Sequence, residues 1–237
     1  RGPARPRNLT APTASDERAV EIPWCLARYD GEARVLDIGY AFAEPAYLAG
    51  LVALGAAELA GADLAEAAVP GLRPIVGDVR DLPVEDGAFE LVLCISTLEH
   101  VGRDNEVYDV DATREEQGDE TALRELHRVL ARDGRLLVSV PTGEHDDQGW
   151  QLQRTPRDWI AVFERAGFVV FEDELYVRDG DGWHSATLAE ANTARYRGDE
   201  GAGAVLLAEL RPASVRTKLR LAVRDRRHPD DPRRSTQ

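Results

Sequence analysis

Apolar and polar positions along this chain follow two periods. Short apolar runs at 33–38, 57–62, 73–77 and 89–95 have the length of strands. Each gives way to polar residues: Asp37 with Gly39, Asp63, Asp78, and Ser96-Thr97. Residues 43–55 read as a helix, and a brief helical stretch is expected near 64–68. Residues 119–131 set Leu123, Leu126, Val129 and Leu130 on one face, the spacing of an amphipathic helix, and Asp133-Gly134 closes it. A strand follows at 135–140. Thr155-Pro156 opens a helix over 156–166 with a cap and a proline at the first helical position. Two closing strands, at about 168–177 and 203–210, flank a polar stretch that begins at the turn Asp179-Gly180-Asp181-Gly182. Residues 19–29, with Trp24, read as a helix or cap packed on the sheet.

Strands that alternate with helices predict an α/β fold: a Rossmann-like, doubly wound, mostly parallel sheet with an antiparallel strand at its C-terminal edge. The division along the chain is a flexible N-terminal arm over 1–20, one domain over 21–210 and a basic C-terminal tail over 211–237. In such sheets acids at the carboxyl ends of successive strands converge on the crevice that binds ligands. The pattern therefore points to a nucleotide-type cofactor.

Composition narrows the partners. Hydrophobic residues make up 43% of the chain, and no apolar run approaches the roughly eighteen residues of a membrane span. Net charge is −14, while residues 211–237 hold nine Arg/Lys against three Asp, so the body is more acidic than the total. That body argues against nucleic acid as the main partner, because phosphate binding needs a basic face. The basic start Arg1-Gly2-Pro3-Ala4-Arg5-Pro6-Arg7 has no apolar region behind it and reads as an arm, not a secretory signal. Two cysteines, Cys25 and Cys94, form neither a disulfide framework nor a metal motif, and a cytoplasmic setting is expected.

Taken in order, several segments resemble the class I S-adenosylmethionine-dependent methyltransferases, of the type 11-like kind, over roughly residues 30–210. Val35-Leu36-Asp37-Ile38-Gly39 is similar to the family's first motif, Asp63 to the acid ending its second strand, and Gly77-Asp78-Val79 to its adenine-side motif. Leu82-Pro83 through Val92, then Leu98-Glu99-His100-Val101, Leu123 through Leu130 and Gly134 through Pro141 continue the likeness. The resemblance implies S-adenosyl-L-methionine as cofactor. It implies that Asp37 with Gly39 and Tyr40 orders the turn near the methionine amino group, that Asp63 with Leu64 holds the ribose hydroxyls, and that Asp78 and Val79 receive the adenine. Ile95 and Ser96, with Thr97, wall the adenine or the sulfonium. One departure stands out: of the family's glycine-rich turn only Gly39 remains in Gly39-Tyr40-Ala41-Phe42-Ala43.

The expected reaction is methyl transfer to a small-molecule acceptor, a sugar or secondary-metabolite hydroxyl. His145 and His100 are the candidate bases, since imidazole titrates near neutrality. Tyr108, in a polar insertion over 102–111, is a candidate acceptor contact, and Trp150 and Trp183 are candidates for stacking. Asp146 and Asp147 read as a solvated loop, and no metal is expected. Two alternatives remain: a methyltransferase-like binding protein without catalysis, and a nicotinamide-dependent oxidoreductase, which needs a G-x-G-x-x-G turn that is absent here.

Overall fold

The structure, a computed structural model, describes residues 5–106, 113–198 and 201–214. Five strands pair in parallel: β1 (Arg34–Ile38), β2 (Glu58–Asp63), β3 (Arg73–Val76), β4 (Phe89–Ile95) and β5 (Leu130–Pro141). A two-residue ladder, β6 (Asp146–Asp147) with β7 (Leu152–Gln153), stands apart. β8 (Phe168–Asp179), β9 (Gly182–Ser185) and β10 (Ala204–Pro212) complete an eight-stranded sheet in the order β3-β2-β1-β4-β5-β10-β8-β9. β10 runs antiparallel between β5 and β8, and β8 and β9 form a hairpin beyond it. The sheet is mostly parallel with an antiparallel C-terminal edge.

Strand residues alternate between the two faces, as a pleat with both sides covered requires. Val35, Leu91, Leu93 and Leu137 pack with Trp24 and Cys25 of α1 (Arg18–Leu26) and with Leu51 of α2 (Pro45–Ala53). On the other face Leu36, Val92 and Val138 pack with residues of α3 (Gly118–Val129), α4 (Pro156–Arg165) and α5 (Leu188–Asn192). Thr155 caps α4 as its sequence predicts, its side chain accepting from the Asp158 amide.

Two local expectations change. No helix forms over 64–68, where the Ala65 amide donates to Asp63 Oδ1 and the Ala67 amide to the Tyr40 hydroxyl, with Pro70 and Gly71 close behind. Gly134 does not end α3, because the chain is already extended at Leu130 and continues as β5. Its missing Cβ instead admits close neighbours, the Ala131 carbonyl and the Leu130 side chain each lying 2.9 Å from where that atom would sit.

The N-terminal arm, expected to be flexible, is docked on the sheet from Arg5 onward. Arg5 pairs with Glu209 and Arg7 with Glu172, the Leu9 amide donates to the Tyr176 hydroxyl, and Ala11 exchanges backbone hydrogen bonds with Trp183. The Trp183 indole donates to the Ser15 carbonyl, so this ring is committed to the strap. The strap then runs straight into α1.

Candidate functional site

At the carboxyl ends of β1, β2, β3 and β4 lies a cavity of about 390 Å³, in the size range of small-molecule sites. Asp37, Asp63 and Asp78 all line it, although they come from three different strand ends. Gly39, Leu64, Val79, Ile95 and Ser96 also face it.

Asp37 sits near the end of β1, where the strand's alternation turns it toward α1 and α2. Its Oδ1 accepts a 2.6 Å hydrogen bond from the Tyr47 hydroxyl, while Oδ2 is buried without a hydrogen-bond partner. Burial pushes this carboxyl up to about 7, the Tyr47 hydrogen bond pulls it down, and the charge of Asp63 adds to the rise. Gly39 follows with φ +88°, and its amide donates to the Ala62 carbonyl. A Cβ there would lie 2.4 Å from Thr97 Oγ1, so both backbone angle and space demand glycine.

Asp63 is fixed by backbone: Oδ2 accepts from the Ala41 amide at 3.1 Å and Oδ1 from the Ala65 amide at 3.2 Å. Burial raises its proton affinity and these amides counter the rise. Asp78 is clasped by Arg80, whose Nε and Nη2 donate at 2.9 and 2.6 Å. Burial pushes Asp78 upward, but Arg80 outweighs it and holds the carboxyl below its ordinary value. Arg80 also reaches Glu115 at 3.0 Å, closing that side of the cavity with an ion-pair chain.

The opposite wall comes from the strap and α1, through Glu17, Arg18 and Ile22. Ser96, at φ +43°, donates its hydroxyl to Glu21 Oε1 at 2.7 Å and thereby ties α1 to the mouth of β4. Arg18 bonds the other oxygen of Glu21 at 2.6 Å. Glu17 carries a raised proton affinity from burial and from Glu21, and its Oε2 is buried without a hydrogen-bond partner. Glu99, buried behind this wall, is pushed up to about 8 by desolvation, with Glu21 and Glu17 adding to the rise.

Two expected site residues lie elsewhere. The Tyr40 ring turns away from the cavity into the core, filling space left by Gly61, where an added Cβ would meet the ring at 2.5 Å. His145 is exposed and lines a different cleft, beside Asp119, Arg154 and Arg165. Asp147 there pairs with Arg103, and Asp146 accepts from Gln148. His100 does face the cavity, stacked on Trp150 with ring centroids 5.2 Å apart. Its Nδ1 lies 3.0 Å from the Trp150 carbonyl, which can only accept, so the proton sits on Nδ1. Burial lowers this imidazole to about 4, leaving it neutral and weakly basic near pH 7. Tyr108 lies outside the described residues.

Sequence reasoning missed Tyr47, Glu17, Arg18 and Arg80. Tyr47 reads as an ordinary core aromatic. For the α1 residues a signal exists: Glu17, Arg18 and Glu21 share a helix face just before the first strand.

Residues 36–138, from β1 into β5, match the methyltransferase domain model, and this stretch carries Asp37, Asp63 and Asp78. Over these residues the chain carries a methyltransferase domain. An uncharacterized protein of Methanocaldococcus jannaschii is 35% identical over 68 residues, 29% of this chain. The chain spans about a quarter of that relative's length, 23%. Among solved structures, the Burkholderia thailandensis 1,6-didemethyltoxoflavin-N1-methyltransferase, bound to 1,6-didemethyltoxoflavin and S-adenosylhomocysteine, is similar with TM-score 0.51 and 18% identity, over 78% of this chain and 73% of that one. A methyltransferase of Thermotoga maritima gives 0.50 and 17%, over 80% and 87%. The [4+2]-cyclase SpnF gives 0.51 and 17%, over 78% and 76%. At these identities the likeness is one of fold.

The family's cofactor fits the residues present. The buried, unpartnered Oδ2 of Asp37 is an acceptor suited to an ammonium group. Gly39 lets backbone pass where any side chain would collide with Thr97. No helix among the described residues is long and apolar enough to cross a membrane.

Proposed function

We propose that this chain transfers a methyl group from S-adenosylmethionine to a small-molecule acceptor through an oxygen nucleophile, a sugar or secondary-metabolite hydroxyl. The observation that carries the reading is the meeting of Asp37, Asp63 and Asp78 around one cavity at the strand ends. Asp37 would take the amino group, Asp63 the ribose diol, and Asp78 with Val79 the adenine edge. The cofactor supplies an already activated methyl on a sulfonium, so the protein's task is alignment and proton removal.

A hydroxyl acceptor has to lose its proton. His145 opens on another cleft and His100 is too weakly basic, which leaves Glu17 as the base we assign. A carboxylate whose proton affinity burial raises is suited to that work. Glu17→Gln should lower kcat at least 100-fold while S-adenosylhomocysteine binds as before.

A second reading, a binding protein without methyl transfer, is favoured by Phe42. This side chain is 51% exposed on the cavity wall, where a bare glycine turn would otherwise stand. The same residue weighs against a dinucleotide, whose pyrophosphate needs naked backbone. Calorimetric titration with S-adenosylmethionine, S-adenosylhomocysteine and NAD decides between the cofactors. Absence of binding of both sulfur compounds to folded protein overturns the proposal, and binding without transfer to any acceptor tried supports the second reading.

A further inference from the structure

We propose that Tyr47 is the positioning residue for the cofactor's amino group: its hydroxyl holds one oxygen of Asp37 so that the other stays available to the cavity. This rests on the reading of the cavity as a cofactor site and adds a residue on α2 to it. Tyr47 is buried, and Pro45 at the start of α2 sets the helix so that its first turn passes over the end of β1. The hydrogen bond to Asp37 Oδ1 is 2.6 Å, short and charge-assisted when the carboxyl is ionised. The Cys25 thiol, on α1, lies beside the same hydroxyl.

The arrangement answers the depleted glycine turn. Of the amides in that turn, Gly39 serves the Ala62 carbonyl, Ala41 serves Asp63 and Ala43 serves the Tyr40 carbonyl. The turn therefore has few amides to spend on orienting Asp37, and a side chain from the next helix does so instead. The groups facing Asp37 are Tyr47 from α2, Cys25 from α1, Asp63 from β2 and Cys94 from β4. Tyr47 favours the ionised carboxyl by donating a hydrogen bond to it, whereas Asp63, like the burial itself, favours the neutral form. An ammonium ligand needs the ionised form, so Tyr47 lowers the pH at which the site becomes competent.

The test is S-adenosylhomocysteine affinity by calorimetry from pH 5.5 to 8.5, for the parent, Tyr47→Phe and Asp37→Asn, each checked for fold by circular dichroism. The ligand's own titration is common to all three and drops out of the comparison. Parent affinity is expected to rise with pH through about 7, where Asp37 ionises. Tyr47→Phe should bind about 10-fold more weakly at pH 6.5, with the midpoint of the rise moved to higher pH. Asp37→Asn should lose the rise, and it keeps the proposal testable should Tyr47→Phe fail to fold. A Tyr47→Phe midpoint equal to the parent's, or an undiminished rise in Asp37→Asn, overturns the proposal while leaving the cofactor reading intact. A parent that binds at no pH removes both.

Discussion

Asp63 Oδ2 accepts a hydrogen bond from the Ala41 amide at 3.1 Å, so the acid ending β2 fastens the turn that follows β1. The carboxylate that we assign to the ribose also braces the polypeptide next to Asp37.

Replacing Asp63 by alanine should therefore do more than remove one ligand contact. A hydrogen bond to a charged group contributes about 1.5–3 kcal/mol, so S-adenosylhomocysteine affinity is expected to fall by about 10–100-fold. A variant that binds as tightly as the parent in calorimetry would refute the placement of the ribose.

Gly39 invites a stability test. Alanine must adopt a left-handed φ and meet Thr97 Oγ1 at 2.4 Å. Strain and overpacking together should cost about 2–4 kcal/mol in urea unfolding. In a double-mutant cycle, Thr97→Ala should restore the steric part and leave the backbone part.

Arg28 is buried, stacks on Trp24 with its guanidinium carbon 4.0 Å from the ring centre, and bonds Glu174 at 2.6 Å and Glu172 at 3.2 Å. Removing one partner of a buried ion pair leaves uncompensated charge, so Arg28→Ala should lose about 3–5 kcal/mol. Chemical denaturation gives the value, and a loss under 1 kcal/mol would show that water reaches these carboxylates.

The dependence of stability on pH follows from three buried groups. Asp37 and Glu99 hold protons up to about 7 and about 8, above their ordinary 3.8 and 4.5. Between about pH 4.5 and 8 the folded chain therefore binds more protons at these sites than the unfolded chain, and stability falls as pH rises. His100, lowered from 6.5 to about 4, opposes the trend below about pH 6.5, so the decline should be steepest between about 6.5 and 7 and ease toward 8, where Glu99 alone still holds its proton. Denaturation midpoints across this range should show the bend, and Glu99→Gln should flatten the decline between about pH 7 and 8.

Local patterns made the strand ends readable. β1 to β4 could be placed within a residue or so because each apolar run stops at a polar residue, and the stops are the cavity. What stayed hidden depended on contacts across the chain. Tyr40 looked like a cavity residue until Gly61, in the next strand of the sequence, provided a recess for its ring. His145 follows β5 on the expected side, but the β6–β7 ladder carries its loop toward α3 and α4. The strap was illegible because its anchors, Glu172, Tyr176, Trp183 and Glu209, come from the last third of the chain.

The place of β10 between β5 and β8 bears on how the molecule is made. A ribosome releases β8 and β9 before the strand that seats them exists. Until β10 emerges, the β8–β9 hairpin has no neighbour on its inner side, and β5 shows an unpaired edge. Nascent chains stalled just short of residue 204 should be the ones that chaperones hold longest.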